Sequence, residues 1–235
     1  MVGDVHGRHD LMMRLLAQIA ADSRERAFGR RPILIFCGDY VDRGPDSAKV
    51  LETVIQLQRR ADFDVRLLKG NHEQVMLDFL RDPVGTVAWL RFGGAETLAS
   101  YGVGLEADPS EEDLNAARDR LLERMPASHL HLLHQLDLML VVGDYAVVHA
   151  GVRPGVDLES QSEEDLLWIR EAFLGSDGPF EKVIIHGHTW TGPEPQRTVH
   201  RIGLDTGAYQ TGVLTAVRLD GREVTFLQAS LPDAA

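Results

Sequence analysis

The sequence contains a single cysteine, Cys37, in 235 residues. One cysteine excludes a disulfide within the chain and favours a reducing compartment, so we expect a cytoplasmic protein. No apolar run approaches the roughly 20 residues of a membrane span, and no signal peptide precedes Gly3. These absences argue against a membrane protein and against a secreted protein. Cys37 ends an apolar run, which predicts a buried structural thiol.

Positive charge is also scarce, because 24 lysines and arginines stand against 36 aspartates and glutamates, for a net charge of −12. This balance argues against nucleic acid as a partner, since phosphate backbones are bound by basic patches. An acidic protein that handles phosphate must concentrate positive potential locally, with metal ions or arginines. The sequence has no G-x-S-x-G nucleophile motif and no G-x-x-x-x-G-K phosphate loop.

Short apolar segments, each followed by a polar turn with glycine, predict the buried strands of an α/β protein. The clearest is 33–37, which precedes the turn 38–44 and the amphipathic segment 47–60. Repeated strand-turn-helix units imply a largely parallel sheet with right-handed crossovers. We expect one domain over 1–235, with a helical insertion at 82–135. The other predicted elements are helices at 11–19, 73–80, 110–124 and 162–170, and strands at 65–69, 138–142, 145–149, 183–185, 199–204, 213–219 and 224–228.

The first polar turn, at residues 3–7, follows only Met1 and Val2. Two residues are too few for a strand, so we expect residues of the first strand to be missing from this chain.

Polar side chains that could bind metal follow five of these apolar segments. The Asp-x-x-Asp-Arg pattern at 39–43 would fit a solvated turn equally well if it stood alone. Polar turns with glycine recur after several apolar segments, however, which indicates a shared site. Imidazole, carboxylate and amide ligands without a thiolate suit Mn, Fe, Zn or Co better than Ca or Mg. Six ligands are too many for one open catalytic ion, but they suit two ions that share a carboxylate, about 3.5–4 Å apart. The six are Asp4, His6, Asp39, Asn71, His149 and His188.

Three segments make a resemblance specific: Gly-Asp-Val-His-Gly at 3–7, Gly-Asp-Tyr-Val-Asp-Arg-Gly at 38–44 and Gly-Asn-His-Glu at 70–73. In this order they resemble the three signatures of the phosphoprotein phosphatase (PPP) family of calcineurin-like metallophosphoesterases. The later His-Ala-Gly at 149–151 and Gly-His-Thr at 187–189 also match, so the resemblance covers nearly the whole chain. It implies a central β-sandwich of two sheets flanked by helices, an α/β/β/α arrangement.

The resemblance also implies roles for single residues. Asp4, His6 and Asp39 would hold one divalent ion, and Asp39 would bridge to a second ion completed by Asn71, His149 and His188. His72, paired with Asp42, resembles the general acid that protonates the leaving alkoxide. Arg43 and Arg170 resemble the arginines that bind the phosphate, although Arg170 also fits a charge on a helix surface. The role of His186 stays open between binding or supporting a metal ion and packing. Tyr209 stays open between the aromatic residue that some family members place beside the phosphate and packing.

Together these observations predict a phosphatase with two metal ions, of which Mn²⁺ is favoured. We expect it to act on phosphoserine or phosphothreonine in proteins, and activity on phosphotyrosine remains an open alternative. A hydroxide that bridges the two ions would attack phosphorus directly, without a phosphoenzyme. A hydrolase of diadenosine tetraphosphate or another nucleotide is the alternative on the same scaffold, and a non-catalytic phosphate-binding scaffold is a second. Aromatic residues are few, at 6%, and we expect Trp89 and Phe92 to be packing residues beside Gly93 and Gly94.

Overall fold

Two β-sheets form the centre of the fold, in a computed structural model that describes residues 1–26 and 31–231. Ten short strand or bridge segments build these sheets, and helices cover their outer faces. The strands are β1 Ile33–Phe36, β2 Asp64–Leu67, β3 Met139–Val142, β4 Tyr145–Val148, β5 Val183–His186, β6 Gln196–Arg197, β7 Arg201–Gly203, β8 Val213–Asp220 and β9 Glu223–Ser230. The helices are α1 His9–Arg26, α2 Ser47–Gln58, α3 Asn71–Arg81, α4 Gly94–Ser100, α5 Glu111–Arg124, α6 Ala127–Gln135, α7 Glu163–Trp168, α8 Glu171–Leu174 and α9 Ala208–Thr211.

The first sheet depends on Val2 to join its two halves. β1 pairs in parallel with β2, and β8 pairs antiparallel with β9. Val2 lies between them, bridging Phe36 in parallel and Ala216 in antiparallel register. Its N–H donates to the carbonyl of Ile35 at 2.7 Å, and its carbonyl accepts from Cys37 N at 3.0 Å. One residue therefore holds the place of a central strand, and the turn that carries Asp4 follows it.

The second sheet has the order β3-β4-β5-β7-β6. β4, β5 and β7 are parallel, while β3 and β6 pair antiparallel at the edges. The strands predicted at 138–142 and 145–149 are confirmed as β3 and β4, which form an antiparallel hairpin. The predicted strand 199–204 is shorter than expected and begins at Arg201, because Val199 lies in a turn with 82% of its surface exposed.

The two sheets face each other across an apolar layer. Ile35 and Val217 of the first sheet pack with Val147, Ile185 and Ile202 of the second. The outer face of the first sheet packs on α1 and α2 in a larger core, and the outer face of the second packs on α7 and α8. The expected β-sandwich flanked by helices is confirmed.

Residues 82–135 contain only helical elements and connecting loops. A 3₁₀ helix at Val87–Phe92 is followed by α4, α5 and α6. Ser110 caps α5 through a reciprocal pair of hydrogen bonds with Asp113. Trp89 is buried, as expected, but Phe92 is 63% exposed and does not pack in the core. We refer to residues 82–135 as the helical segment.

Several helix boundaries differ from the predictions, and two of the differences bear on the site. α3 begins at Asn71 instead of residue 73, so Asn71 and His72 lie in its first turn. α7 ends at Trp168 instead of residue 170, because Ile169 takes an extended conformation (φ −60°, ψ 140°). Arg170 therefore lies at the break between α7 and α8. Within the described residues, no helix combines the length and the apolar character needed to cross a membrane.

A cavity of about 510 Å³ lies at the end of the first sheet away from Asp39. Its lining includes Met1, the first two residues of β1 and the end of β8. The cavity thus occupies the space into which a strand through Val2 would extend if it continued before Met1.

Candidate metal and phosphate site

The polar side chains predicted to bind metal all follow the carboxyl ends of parallel strands or of the bridge at Val2. Since these ends meet at one edge of the two sheets, the side chains converge. Each lies in a turn or in the first turn of a helix that the strand before it positions. All are buried, with at most 8% of their surface exposed: Asp4, His6, Asp39, Asn71, His149 and His188.

Asp39 stands at the centre of this convergence. Its Oδ2 lies 3.4 Å from Nε2 of His6, and its Oδ1 lies 3.5 Å from Nε2 of His149. Two groups of possible ligand atoms share Asp39, one with His6 and His72 and the other with His149 and His188. A carboxylate with one oxygen toward each group has the geometry of a bridging ligand.

Asn71 belongs to the second group. Its Oδ1 lies 2.9 Å from both Nε2 of His149 and Nδ1 of His188. Three potential ligand atoms thus meet within hydrogen-bond distance, and a cation between them would replace these contacts. The arrangement brings Asn71, His149 and His188 together, as the sequence analysis predicted.

The imidazole rings are held in defined orientations by backbone carbonyls. Nδ1 of His6 lies 2.9 Å from the carbonyl of Val41, and Nδ1 of His149 lies 2.9 Å from that of Cys37. Carbonyls only accept, so each Nδ1 carries the proton and each Nε2 keeps its lone pair toward Asp39. Burial lowers the pKa of His6 to about 3 and also lowers that of His149. Both rings are therefore neutral and available as ligands.

Asp4 provides the clearest test of whether this site fits a metal. Its Oδ2 accepts from the backbone N–H of His188 at 2.8 Å, whereas its buried Oδ1 has no hydrogen-bond partner among the described residues. Burial, together with Asp205 and Asp39, raises the pKa of Asp4 well above its usual range. A buried carboxylate oxygen without a hydrogen-bond partner is costly unless a cation compensates its charge. The residues present therefore fit divalent metal ions, and oxygen and nitrogen ligands without sulfur fit transition metals.

His72 lies beside the two groups and contacts a carboxylate of its own. Its Nδ1 is 2.6 Å from Oδ2 of Asp42, and its Nε2 is 3.2 Å from Nη2 of Arg43 and 3.9 Å from Oδ2 of Asp39. Burial lowers the pKa of His72, but Asp39 and the hydrogen bond to Asp42 outweigh it, so that the net shift is upward. The position fits a proton donor held by Asp42, and it also brings Nε2 within reach of the first ligand group.

Two arginines, Arg43 and Arg170, lie beside the predicted metal site. The guanidinium of Arg43 lies 4.4 Å above the ring of Tyr209, which in turn packs edge-on against His6. Arg170 points its Nε at Nε2 of His188, 3.0 Å away. Arg170 thus contacts a predicted ligand, whereas Arg43 contacts Tyr209 and His72.

His186 does not join the two ligand groups. Its Nδ1 contacts the carbonyl of Gly187 at 3.0 Å, and its ring packs edge-on against Phe173 on the outer side of the second sheet. Burial lowers its pKa to about 4. The interpretation of His186 as a packing residue agrees with this placement.

The backbone at the site is strained. Five non-glycine residues have positive φ, and all are named above: His6, Asp39, Asp42, Arg43 and His188. Such conformations cost free energy and persist only where the surroundings impose them. Within the described residues, all five lie at this one edge of the sheets. This indicates that the surrounding structure imposes these conformations in order to orient the side chains of the site.

Glu73 imposes part of this strain, and the sequence analysis gave it no role. Its carboxylate accepts hydrogen bonds from the backbone N–H groups of Asp39, Tyr40, Val41 and Gly70, at 2.8–3.2 Å. It therefore ties the turn after β1 to the turn after β2. Gly70 is required there, because a Cβ would overlap the Asp39 carboxylate. The signal in the sequence was the acidic residue directly after Asn71 and His72.

Comparison with known proteins agrees with this geometry. The model of the calcineurin-like phosphoesterase family matches residues 1–203, and the chain belongs to this family. Serine/threonine-protein phosphatase 1 of Salmonella typhimurium is 29% identical, covering 93% of this chain and 90% of that protein. The asymmetrical bis(5'-nucleosyl)-tetraphosphatase PrpE of Bacillus mycoides is 26% identical, covering 98% and 94%.

Two solved structures share the fold at lower identity. A serine/threonine phosphatase from Saccharomyces cerevisiae is 17% identical with a TM-score of 0.55, covering all of this chain and 80% of that chain. A metallophosphoesterase from Sphaerobacter thermophilus is also 17% identical with a TM-score of 0.52, covering 98% and 87%. The protein is therefore an enzyme that hydrolyses phosphoesters with divalent metal ions, and its relatives include enzymes for two kinds of substrate.

Proposed function

We propose that this protein is a cytoplasmic phosphoprotein phosphatase that acts on phosphoserine and phosphothreonine, with phosphotyrosine as an open further substrate. The observation that supports it most directly is the triplet of Asp42, Arg43 and His72 beside the predicted ligands. One side chain there can donate a proton and another can hold a phosphate. We further propose two ions, with Mn²⁺ first and Fe, Zn or Co as alternatives. When bound, such ions supply Lewis acidity toward phosphoryl oxygens and lower the pKa of water to about 7.

His72 supplies the proton for the leaving group in this proposal. Its Nδ1–H donates to Asp42, and its Nε2, which faces the site, is the acceptor toward Nη2 of Arg43. Nε2 is therefore the nitrogen that would carry the transferred proton once a phosphate takes over this contact with Arg43. The upward pKa shift keeps a larger fraction of His72 protonated near neutral pH. Protonation of the serine or threonine alkoxide as the P–O bond breaks avoids the release of a strong base.

Arg43 and Arg170 bind the phosphoryl oxygens. A guanidinium presents a planar set of donors that matches two oxygens of a phosphate, and it stays charged at any working pH. Tyr209 orients Arg43 by lying against its guanidinium face. In the absence of substrate Arg43 contacts Nε2 of His72, so a phosphate between them would take over both contacts.

Hydrolysis of dinucleoside polyphosphates is the second candidate, because the PrpE relatives match as much of the chain as the protein phosphatases do. One structural feature also favours it. Trp168 is 44% exposed, and its ring centre lies 6.4 Å from that of His188. An exposed indole beside the site could stack on a base.

The experiment is a comparison of kcat/KM for phosphoserine or phosphothreonine peptides with that for diadenosine tetraphosphate. Both are measured with Mn²⁺ at one pH and ionic strength. We expect the peptides to be preferred. A tenfold preference for the dinucleotide, about 1.4 kcal/mol of transition-state binding, would overturn the proposal in favour of the second candidate. No turnover of a generic aryl phosphate would instead support a phosphate-binding scaffold.

A further inference from the structure

The carboxylate of Asp42 accepts hydrogen bonds from three side chains, and two of these side chains belong to the helical segment. Nε1 of Trp89 donates to Oδ2 at 2.8 Å, and Oγ1 of Thr97 donates to Oδ1 at 2.7 Å. His72 Nδ1 donates to the same Oδ2 at 2.6 Å. Asp42 has no solvent exposure. A buried carboxylate keeps its orientation only if donors hold both oxygens.

Trp89 is built into this position from several sides. It is 2% exposed, and its ring packs against Phe79 of α3 at 4.7 Å between ring centres. The backbone of Gly94 lies against the indole so closely that any Cβ there would overlap the ring atoms. The indole therefore has one orientation, with its N–H toward Asp42. If Trp89 were needed only for packing, an aromatic ring without an N–H donor would serve equally well.

The hydroxyl of Thr97 contacts the backbone of Asp42 as well as the Asp42 carboxylate. Its hydroxyl accepts from the N–H of Asp42 at 2.8 Å and lies 3.0 Å from the hydroxyl of Ser47, itself 3.1 Å from the same N–H. The φ angle of Asp42 is +73°, which is unfavourable for a residue with a side chain. The contacts of Thr97 and Ser47 stabilise this turn where β1 leads into α2.

We infer that Trp89 and Thr97 are positioning residues for His72, acting through Asp42. Together they fix the plane of the Asp42 carboxylate, so that Oδ2 holds Nδ1 of His72 and directs Nε2 toward the phosphoester. The helical segment thus contributes to proton transfer, in addition to covering part of the site. The inference rests on the proposed function, in which His72 is the general acid.

The dependence of the rate on the leaving group separates this role from a purely structural one. A misplaced acid matters most when the departing oxygen is a strong base and least when it is a weak one. Phenyl phosphate releases phenolate, the base of an acid with a pKa of about 10, whereas 4-nitrophenyl phosphate releases a weaker base. Loss of metal or of folding would lower the rates for both substrates equally.

The first test is Trp89→Phe, which keeps an aromatic ring but removes the N–H donor. We expect kcat for phenyl phosphate with Mn²⁺ to fall by about tenfold to a hundredfold, the cost of modest misplacement. The loss for 4-nitrophenyl phosphate should be several times smaller, with KM and metal content unchanged. Leu121→Ala is the matched control, because Leu121 is buried in α5 of the same helical segment and takes no part in the hydrogen bonds around Asp42. It should lower the melting temperature without any leaving-group dependence.

Thr97 gives a second test that does not depend on the fold tolerating a change at Trp89. Thr97→Val removes the hydroxyl, and Thr97→Ser retains it. We expect the valine variant to show the same leaving-group-dependent loss and the serine variant to recover most of the rate. Equal losses for the two substrates in Trp89→Phe and Thr97→Val, or no loss in either, would overturn the inference.

His72→Asn, measured with the same two substrates, separates this inference from the proposed function. A leaving-group-dependent loss in His72→Asn without one in the positioning variants overturns only the role of Trp89 and Thr97. A loss in His72→Asn that is equal for both substrates overturns both, because His72 would then not be the acid.

Discussion

Glu73 accepts a hydrogen bond from the backbone N–H of Asp39 at 2.9 Å, and this contact joins the central predicted ligand to the first turn of α3. The same carboxylate accepts from three further backbone N–H groups. A single side chain therefore sets the conformation of the turn from which Asp39 projects.

Glu73→Gln should destabilise the fold. The amide NH₂ that replaces one oxygen would face backbone N–H donors and leave some of them unpaired, at a cost of about 1–3 kcal/mol. Denaturant unfolding of the metal-free protein measures the change. Glu159→Gln, at an exposed position, is the control and should have no measurable effect. Equal stability of the two variants would contradict the role given to Glu73.

Asp39→Asn should lower metal content and turnover together. Asparagine tolerates the positive φ of 51° at this position, so the backbone is preserved while one shared negative charge is lost. Metal content by elemental analysis and kcat with an aryl phosphate provide the measurement. Near-normal activity with two ions per chain would show that Asp39 is not a bridging ligand.

His72→Asn should keep both ions and lower kcat by roughly 10²–10⁴, the usual contribution of a general acid. The limb of the pH profile in which activity falls with rising pH should also disappear, because that fall reflects deprotonation of an acid with a raised pKa. Metal content decides the alternative, since His72 also lies within reach of the first ligand group. A variant that binds one ion fewer would show that His72 is a ligand.

Arg43→Ala and Arg170→Ala should each weaken phosphate binding more than they change the chemical step. Loss of a charge-assisted hydrogen bond costs about 1.5–3 kcal/mol, which is roughly tenfold to 150-fold in the inhibition constant of inorganic phosphate. Arg197→Ala, exposed and distant in sequence from both, is the control. An unchanged inhibition constant in Arg170→Ala would show that Arg170 does not bind the phosphate and is only a charge at the end of a helix.

Apolar residues added before Met1 should stabilise the protein. The pairing of Val2 with Phe36 and Ala216 would direct them into the cavity between the start of β1 and the end of β8. There they would bury apolar surface and pair with both strands. The melting temperature of a chain extended by Val-Ile-Val should therefore be higher than that of a chain extended by Asp-Pro-Gly. Identical melting temperatures would show that Met1 and Val2 suffice to complete the sheet.

The order of elements and the convergence of the predicted ligands could be predicted from the sequence, because both depend on local patterns. The apolar run at β1 ends in a glycine turn that carries Asp39, and Asn71, His149 and His188 also follow short apolar runs. Once the strands are parallel, their carboxyl ends must meet, so convergence follows from topology. The placement of helix ends was less accurate, since the end of α7 at Trp168 is set by tertiary contacts.

The contacts around Asp42 could not be predicted. Trp89 and Thr97 are separated from it by 47 and 55 positions, and nothing in the local pattern distinguishes a tryptophan that packs from one that also donates. Only the glycine pair at 93–94 signalled a close approach, and it did not show to what. Long-range polar contacts of this kind depend on how the helical segment docks, which periodicity does not encode.

The bridge formed by Val2 has a consequence for the order in which the molecule can be assembled during translation. Translation makes Val2 before both of its partners, and Ala216 lies much later in the sequence than Phe36. Until β8 emerges, the turn with Asp4 and His6 has an anchor on one side only. The second ligand group is complete once His188 has emerged, so the first group should reach its final arrangement after the second.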